Sequence, residues 1–349
     1  MRRWTVIRRC RLGVPLWGVS LRGVSLRGVS SRGVSSIWRA LGGAVVGAAL
    51  LGLGALPGWG RPVASVPARH SVAALRTEGT ALPPGVTDHF FLSSDGVRLH
   101  YLEAGPPGGH TLVFVPGWTM PAWIWMPQIE AFSRRYRVVA FDPRGQGDSA
   151  VPATGYEPRR RGRDVAELIR HLDSAPVVVI GWSLGVLDTL ASIHVAGDRW
   201  LAGLVLVDNS VGEEPPPAPY RPGPPRRGPP PNHATAMASF VRAMFHHTPP
   251  AGYLDRLTQD ALHTPETASR RLLAYPVPRS YWREAVYATK VPLLYVIRPR
   301  WVAQGENLVR HRPNTEMDVF DDAGHALFVD DAARFNRVME RFLQRYVWP

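Results

Sequence analysis

The sequence predicts an α/β fold in which a mostly parallel sheet of eight strands is covered by helices on both faces. Short runs rich in Val, Ile and Leu recur without polar alternation, as in strands buried on both faces. Segments whose apolar residues have helical spacing separate these runs. Because strand and helix alternate, the strands are expected to be parallel neighbours joined by helical crossovers.

The first two predicted strands form a hairpin, with 90–92 and 97–102 flanking the turn Ser94-Asp95-Gly96. The remaining strands are expected at 111–115, 137–141, 177–180, 204–207, 293–297 and 317–320. Helical spacing is clearest at 164–172, 184–194 and 333–346. The core is therefore expected in two parts of the chain, 78–212 and 289–349.

Residues 213–288 interrupt the alternation and are predicted to form a lid over the active site. The segment 213–231 is so rich in proline that it can be neither helix nor central strand. Helical spacing follows at 234–247, 252–263 and 266–275. Long insertions beside strand ends are usually functional, which favours a lid over the alternative of a loop with surface helices.

The charge of the chain is concentrated in its first 77 residues. The 349 residues contain 41 Lys and Arg against 28 Asp and Glu, a formal net charge of +13. Residues 1–77 hold 12 of those arginines and no acidic residue, which leaves 29 basic against 28 acidic side chains. A body this close to neutral does not favour nucleic acid as a partner. The single cysteine, Cys10, excludes an intramolecular disulfide and a cysteine nucleophile in the body.

Residues 1–77 form a basic leader with a five-residue repeat at 19–36 and an uncharged apolar segment at 40–56. Basic, apolar and then small residues is the order of a secretory signal, with a cleavage site at Val66-Pro67-Ala68. The alternatives are an uncleaved membrane anchor at 40–56, which is short of the usual span of about 20 residues, and a misassigned start. A signal or an anchor would place the body outside the cytoplasm, periplasmic, extracellular or held at the membrane.

The strongest chemical signal is Gly181-Trp182-Ser183-Leu184-Gly185, which joins a buried strand to a helical segment. A strand, Gly-x-Ser-x-Gly and a helix in this order predict a nucleophile elbow with Ser183 as nucleophile. The glycines are needed because side chains beside so tight a turn would clash. The start of the helix supplies amide groups that favour developing negative charge.

A serine hydroxyl needs a base to take its proton, and His325 is the predicted base. It lies in Ala323-Gly324-His325-Ala326, after the last predicted strand and before the final helix. That position brings it to the same sheet edge as Ser183, at the carboxyl ends of the strands.

These features resemble the α/β-hydrolase superfamily over about residues 88–347. The segment 142–149, Asp-Pro-Arg-Gly-Gln-Gly-Asp-Ser, is similar to a largely structural loop of that family, and no catalytic role is expected for it. Val115-Pro116-Gly117-Trp118 is similar to the family's oxyanion turn, with Pro116 where His is commoner. The resemblance implies an oxyanion hole formed by the backbone amides of Trp118 and Leu184.

The acid of the triad departs from the usual pattern. Most relatives place an Asp after the seventh strand, where this chain has Arg298-Pro299-Arg300 and no carboxylate before Glu306. Some relatives place the acid after the sixth strand, a position that corresponds here to Asp208. Asp208 is therefore the predicted acid; Glu306, or no acid at all, remain alternatives.

A serine nucleophile favours acyl transfer to water, and the predicted function is hydrolysis of a carboxylic ester or thioester. A cofactor-free perhydrolase or haloperoxidase and a carbon–carbon bond hydrolase would use the same triad, whereas a non-catalytic relative would only bind a ligand. Neither a metal nor a cofactor is expected. The predicted partner is a small, apolar acyl substrate in a pocket lined by aromatic residues. These residues are Trp182, Phe240, Trp282 and Phe328.

Overall fold

The computed structural model describes residues 82–216 and 231–349, which form one eight-stranded sheet with helices around it. The strands follow one another along the chain as β1 Val86–Leu92, β2 Arg98–Ala104, β3 Thr111–Val115, β4 Arg137–Asp142, β5 Val177–Trp182, β6 Leu201–Val207, β7 Leu293–Ile297 and β8 Thr315–Val319. Their order in the sheet is β1-β2-β4-β3-β5-β6-β7-β8.

Six neighbouring strands of this sheet are parallel. The hairpin strands β1 and β2 are antiparallel to each other, and β2 is antiparallel to β4. From β4 through β3, β5, β6 and β7 to β8 every pairing is parallel. These six strands therefore end at the same edge, and the predicted α/β fold is confirmed.

The helices cover the sheet so completely that every residue of β3, β5 and β7 is buried. In chain order they are α1 Met126–Phe132, α2 Pro158–His171, α3 Leu184–Ala196, α4 His233–Ala243, α5 Tyr253–Leu262, α6 Glu266–Leu272, α7 Arg279–Ala288, α8 Val302–His311, α9 Leu327–Asp330 and α10 Ala332–Phe342. A single π-helical turn, Leu343–Val347, follows α10.

Helices α2 and α3 pack closely and enclose an ion pair. A Cβ atom on Gly162 of α2 would lie 2.4 Å from the carbonyl carbon of Ala191, so only glycine permits this approach. Beside it, Arg161 Nη1 lies 3.4 Å from Asp188 Oδ1, and both side chains are about 1–2% exposed. The helix that begins at Ser183 is thus fixed to its neighbour by a buried pair of charges.

Helices α4 to α7 lie in the insertion between β6 and β7 and contact the edge at which the parallel strands end. The indole Nε1 of Trp118 donates to the carbonyl of Ser269 in α6 over 2.7 Å. The amide of Ala326, next to His325, donates to the carbonyl of Met244 after α4 over 2.9 Å. The function of this insertion as a lid stays a prediction.

The predicted leader 1–77, with its apolar segment 40–56, lies outside the described residues, as does most of the proline-rich segment. In the two ranges that the structure describes, no helix is both long enough and apolar enough to cross a bilayer. The predicted export or membrane attachment therefore stays a prediction.

Candidate active site

The turn that presents Ser183 is sterically possible only with glycine on either side. Ser183 has φ +54° and ψ −119° between the end of β5 and the start of α3. A Cβ atom on Gly181 would lie 2.5 Å from the carbonyl oxygen of Gly185. One on Gly185 would lie 2.3 Å from the carbonyl oxygen of Val115. The amide of Ser183 donates to Val207 of β6 over 2.9 Å, which fixes the turn to the neighbouring strand.

The structure brings Ser183, His325 and Asp208 into one hydrogen-bonded chain. His325 Nε2 lies 2.8 Å from Ser183 Oγ, and its Nδ1 lies 2.6 Å from Asp208 Oδ2. With Nδ1 donating to the carboxylate, Nε2 is left to accept the serine proton. The three residues follow β5, β6 and β8, so adjacent parallel strands set their spacing.

Asp208 occupies the position of the triad acid directly after β6. Its side chain is 0% exposed, and its backbone φ is +48°. Burial alone would raise the pKa of Asp208, but the hydrogen bond from His325 and the charges of His325 and Arg298 hold the pKa below its usual value. Glu306, the alternative acid, is an exposed residue of α8.

Arg298 also binds this carboxylate, which the sequence did not indicate. Its Nε donates to Asp208 Oδ2 over 2.6 Å, and its backbone amide donates to Oδ1 over 3.1 Å. Its Nη2 lies 3.5 Å from Nδ1 of His325. The residue that stands where most relatives have the acid is thus an arginine bound to an acid from the adjacent strand.

Two further side chains hold the loops of the triad and were not predicted to do so. Asn209 Nδ2 donates to the carbonyl oxygen of Ser183 over 2.8 Å. The carboxylate of Asp330 accepts the amide of Gly324 over 2.6 Å and the amide of His246 over 2.8 Å, and so joins the histidine loop to the insertion. Neither bond has a local sequence pattern, because each joins segments far apart in the chain.

The predicted oxyanion turn lies directly against the nucleophile. A Cβ atom on Gly117 would be 3.1 Å from Cβ of Ser183. Leu184 is the first residue of α3, where backbone amides have no acceptor within the helix. The amide of Thr119 donates to Oε1 of the buried Gln146 over 2.5 Å, so the 142–149 loop supports this turn. The oxyanion-hole role of the Trp118 and Leu184 amides stays a prediction.

The four aromatic residues predicted to line the pocket fall into two groups. Trp182 and Phe328 are 0% exposed, with ring centroids 5.0 Å apart, and Trp182 Nε1 donates to the carbonyl of His325 over 2.8 Å. They support the histidine loop from the core, so this structure does not place them in an open pocket. Phe240 is half-buried and lies edge-on to Trp118, whereas Trp282 packs against Tyr275 and Tyr281.

Two groups of His and Asp side chains in the described ranges are close enough to share a cation. One consists of the exposed His246, His247 and Asp322; the other consists of His100, Asp142 and Asp148. In the second group His100 Nδ1 lies 2.6 Å from Asp142 Oδ2, and Asp142 Oδ1 accepts the amide of Ala122. Neither group includes a residue of the triad.

Comparison with known families agrees with this fold and with this arrangement of strand ends. A model described as the alpha/beta hydrolase family matches residues 112–338, from the third strand to the final helix. This chain belongs to the alpha/beta hydrolase family. Within the family, its similarity extends to proteins with different named activities.

Among characterised α/β hydrolases, two share more than 30% of their residues with part of this chain. A soluble epoxide hydrolase of Corynebacterium sp. is 32% identical over 136 residues, which are 34% of this chain and 47% of that protein. A non-heme chloroperoxidase of Streptomyces lividans is 42% identical over 116 residues, 33% of this chain and 42% of that protein. The matched segments therefore span less than half of either relative.

Solved α/β-hydrolase structures resemble the whole described body. A candidate aryl esterase from Burkholderia cenocepacia is 26% identical with a TM-score of 0.64, over 74% of this chain and 98% of that one. A bromoperoxidase from Bacillus anthracis is 19% identical with a TM-score of 0.62, over 74% and 100% of the two chains. The second likeness concerns the fold alone.

Proposed function

We propose that this α/β hydrolase cleaves carboxylic esters or thioesters through an acyl-enzyme on Ser183. The observation that supports this most directly is the hydrogen-bonded chain from Ser183 Oγ through His325 to Asp208, with distances of 2.8 and 2.6 Å. A serine next to a base that is itself oriented by an acid is the arrangement that activates a hydroxyl for attack on a carbonyl.

In the first half of the proposed reaction, Ser183 Oγ attacks the carbonyl carbon while its proton passes to Nε2 of His325. The carbonyl oxygen becomes an oxyanion that faces the amides of Trp118 and Leu184. Asp208, ionised and buried, stabilises the imidazolium through Nδ1. Collapse of the tetrahedral intermediate transfers the proton from His325 to the leaving alcohol or thiol and leaves an ester on Ser183.

In the second half, His325 takes a proton from water, and the hydroxide attacks the acyl-enzyme. The second tetrahedral intermediate releases the carboxylic acid and returns the proton to Ser183. Opening an epoxide through a covalent alkyl ester would need a carboxylate nucleophile, and this chain has a serine at the corresponding position. We therefore do not extend the epoxide hydrolase activity of the Corynebacterium protein to this chain.

The proposed substrate has an apolar acyl group. Trp118 is 8% exposed next to Ser183 and packs edge-on against Phe240 of the insertion, with centroids 4.9 Å apart. Aromatic surfaces of this kind favour apolar groups. In a series of p-nitrophenyl esters, we expect kcat/KM to rise from acetate to the medium acyl chains; activity on acetate alone would contradict the apolar site.

The test of the acyl-enzyme is labelling with a fluorophosphonate probe, followed by mass spectrometry of the labelled peptide. Wild-type protein should be labelled at Ser183, and Ser183→Ala should not be labelled. Asp208→Asn should reduce kcat for an ester by up to about 10⁴-fold, because the imidazole loses its tautomer. A folded wild-type protein without labelling would instead favour a ligand-binding relative without catalysis.

The second candidate function is perhydrolysis, in which hydrogen peroxide replaces water at the acyl-enzyme. It is supported by the 42% identity with the chloroperoxidase of Streptomyces lividans. In acetate buffer with peroxide and bromide, peracid formation would brominate monochlorodimedone. Rates that depend on acetate and disappear in Ser183→Ala would support this function, and rates equal in both proteins would exclude it.

A further inference from the structure

Arg298 stands at the end of β7 and is the second partner of the triad acid. Its backbone amide and its Nε reach different oxygens of Asp208, over 3.1 and 2.6 Å. The Asp208 side chain is 0% exposed, and the Arg298 side chain is 26% exposed. A charged hydrogen bond this short and this well shielded from water is worth more than a surface ion pair.

Arg298 and His325 share one oxygen of Asp208. His325 Nδ1 and Arg298 Nε both lie 2.6 Å from Oδ2, and Arg298 Nη2 is 3.5 Å from the imidazole nitrogen. When His325 takes a proton it becomes a second cation beside the guanidinium. Like charges at this distance disfavour the protonated form, whereas the carboxylate favours it.

We infer that Arg298 is a positioning residue that fixes the Asp208 carboxylate and opposes protonation of His325 in the resting enzyme. Its catalytic consequence rests on the proposed function: the base stays available to Ser183 at lower pH than the Asp208–His325 pair alone would allow. The arginine thus does two separable things, one by its hydrogen-bond geometry and one by its charge.

The surroundings of the pair contain few other charges that could produce the same effect. Among the described residues, the charged side chains that bind Asp208 are His325 and Arg298. Tyr295 lies near Asp208, but burial raises its pKa well above the usual value, and its hydroxyl donates to the carbonyl of Asn209 over 2.7 Å.

On the other side of His325, the charged groups act on the backbone or are exposed to water. Asp330 accepts the backbone amides of Gly324 and His246, and so faces the loop rather than the imidazole. His246 and Asp322 pair with each other over 3.2 Å, and their side chains are 56% and 80% exposed. Solvent screens such exposed charges much more than it screens the buried Asp208–Arg298 pair.

The experiment is an NMR titration of the histidine side chains in the full chain, with the His325 signal assigned by comparison with His325→Gln. In Arg298→Met, the titration midpoint of His325 should rise by about one pH unit relative to wild type, because the opposing cation is gone. In Arg298→Lys the charge remains and the midpoint should stay close to that of wild type. Arg300→Met, which removes a neighbouring exposed arginine, should leave the midpoint unchanged.

An unchanged midpoint in Arg298→Met would overturn the inference, even if the variant melts at lower temperature, because a purely structural arginine would change stability alone. If Arg298→Met does not fold, Arg298→Gln replaces it as the neutral variant. The titration does not depend on acylation, so failure of this inference is distinguishable from failure of the proposed function. With an active enzyme, the acid limb of kcat/KM should shift in the same direction in Arg298→Met but not in Arg298→Lys.

Discussion

Gly185 shows at the scale of one residue how the fold fixes the nucleophile. Its missing side chain lets the start of α3 approach the end of β3, where the carbonyl oxygens of Val115 and Pro116 would lie 2.3 and 2.6 Å from a Cβ atom. The same approach brings the predicted oxyanion turn against Ser183. A side chain at this position would therefore displace Ser183 and the turn together.

We expect Gly185→Ala to lower the free energy of unfolding by about 3 kcal/mol or more, because the clash is with backbone atoms that cannot rotate away. Labelling of Ser183 should be lost. The matched control is Gly96→Ala, which has a positive φ of 76° but open space around it, and should cost about 1 kcal/mol. Urea unfolding of both variants measures the difference. Equal losses would show that glycine's conformational freedom matters here and close packing does not.

Individual residues differed in how far the sequence could predict them. Ser183 and His325 were predictable because each lies in a short local motif at the end of a strand. Asp208 followed from the absence of an acid after β7 together with the family resemblance. Arg298 was not predictable, because its partner is 90 positions away in sequence. Trp182 and Phe328 were assigned to a pocket because an aromatic residue reads alike in a core and in a cavity wall.

At the scale of elements, the α2–α3 contact contains a pair of charges whose removal tests the packing. Arg161 and Asp188 are buried 3.4 Å apart, and within the described residues Nε and Nη2 of Arg161 have no hydrogen-bond partner. Burial raises the pKa of Asp188 to about 6, although the charge of Arg161 opposes this. The pair is therefore costly to keep charged, and each charge alone would cost more.

Replacing only one member, as in Asp188→Ala, should destabilise the protein by about 3–5 kcal/mol because Arg161 is left as an uncompensated buried charge. The double variant Arg161→Met/Asp188→Leu should be about as stable as wild type or more stable. Urea unfolding at pH 7 measures both. A double variant no more stable than Asp188→Ala would contradict this account of the contact.

The same pair predicts a pH dependence. Because the pKa of Asp188 is higher in the folded than in the unfolded state, its contribution to stability is most favourable below about pH 4. That contribution falls by roughly 3 kcal/mol as the pH rises through 6. The double variant should lack this component. The difference in unfolding free energy between double variant and wild type should therefore grow from pH 4 to pH 7, and a constant difference would contradict the assignment.

The elements themselves were largely predictable, for a physical reason. Strands such as β5 are buried on both faces and are uniformly apolar, so their composition marks them without any knowledge of neighbours. In the insertion, the helical patterns at 234–247, 252–263 and 266–275 correspond to α4, α5 and α6, with ends that differ by a few residues. Ends were less predictable because capping here relies on backbone geometry; α5, for example, has no side-chain cap.

At the scale of the whole molecule, the basic leader and the nearly neutral body divide the charge of the chain between them. We propose that the leader directs export and is removed after Ala68. Expression of the full chain in a bacterial host, followed by fractionation and mass spectrometry of the N-terminal peptide, should find a mature protein that begins at Arg69. An intact chain in the membrane fraction would favour the anchor, and an intact chain in the cytosol would contradict export.

The parallel edge of the sheet has a consequence for how such an enzyme can change its specificity. Ser183, Asp208, Arg298 and His325 all follow strands, and the ladder of backbone hydrogen bonds from β5 to β8 sets the distances among them. The insertion leaves this ladder after β6 and rejoins it at β7 without supplying a member of the triad. Evolution, or an engineer building chimaeras, can therefore exchange the insertion for a different one and alter what is recognised while the reacting groups keep their spacing.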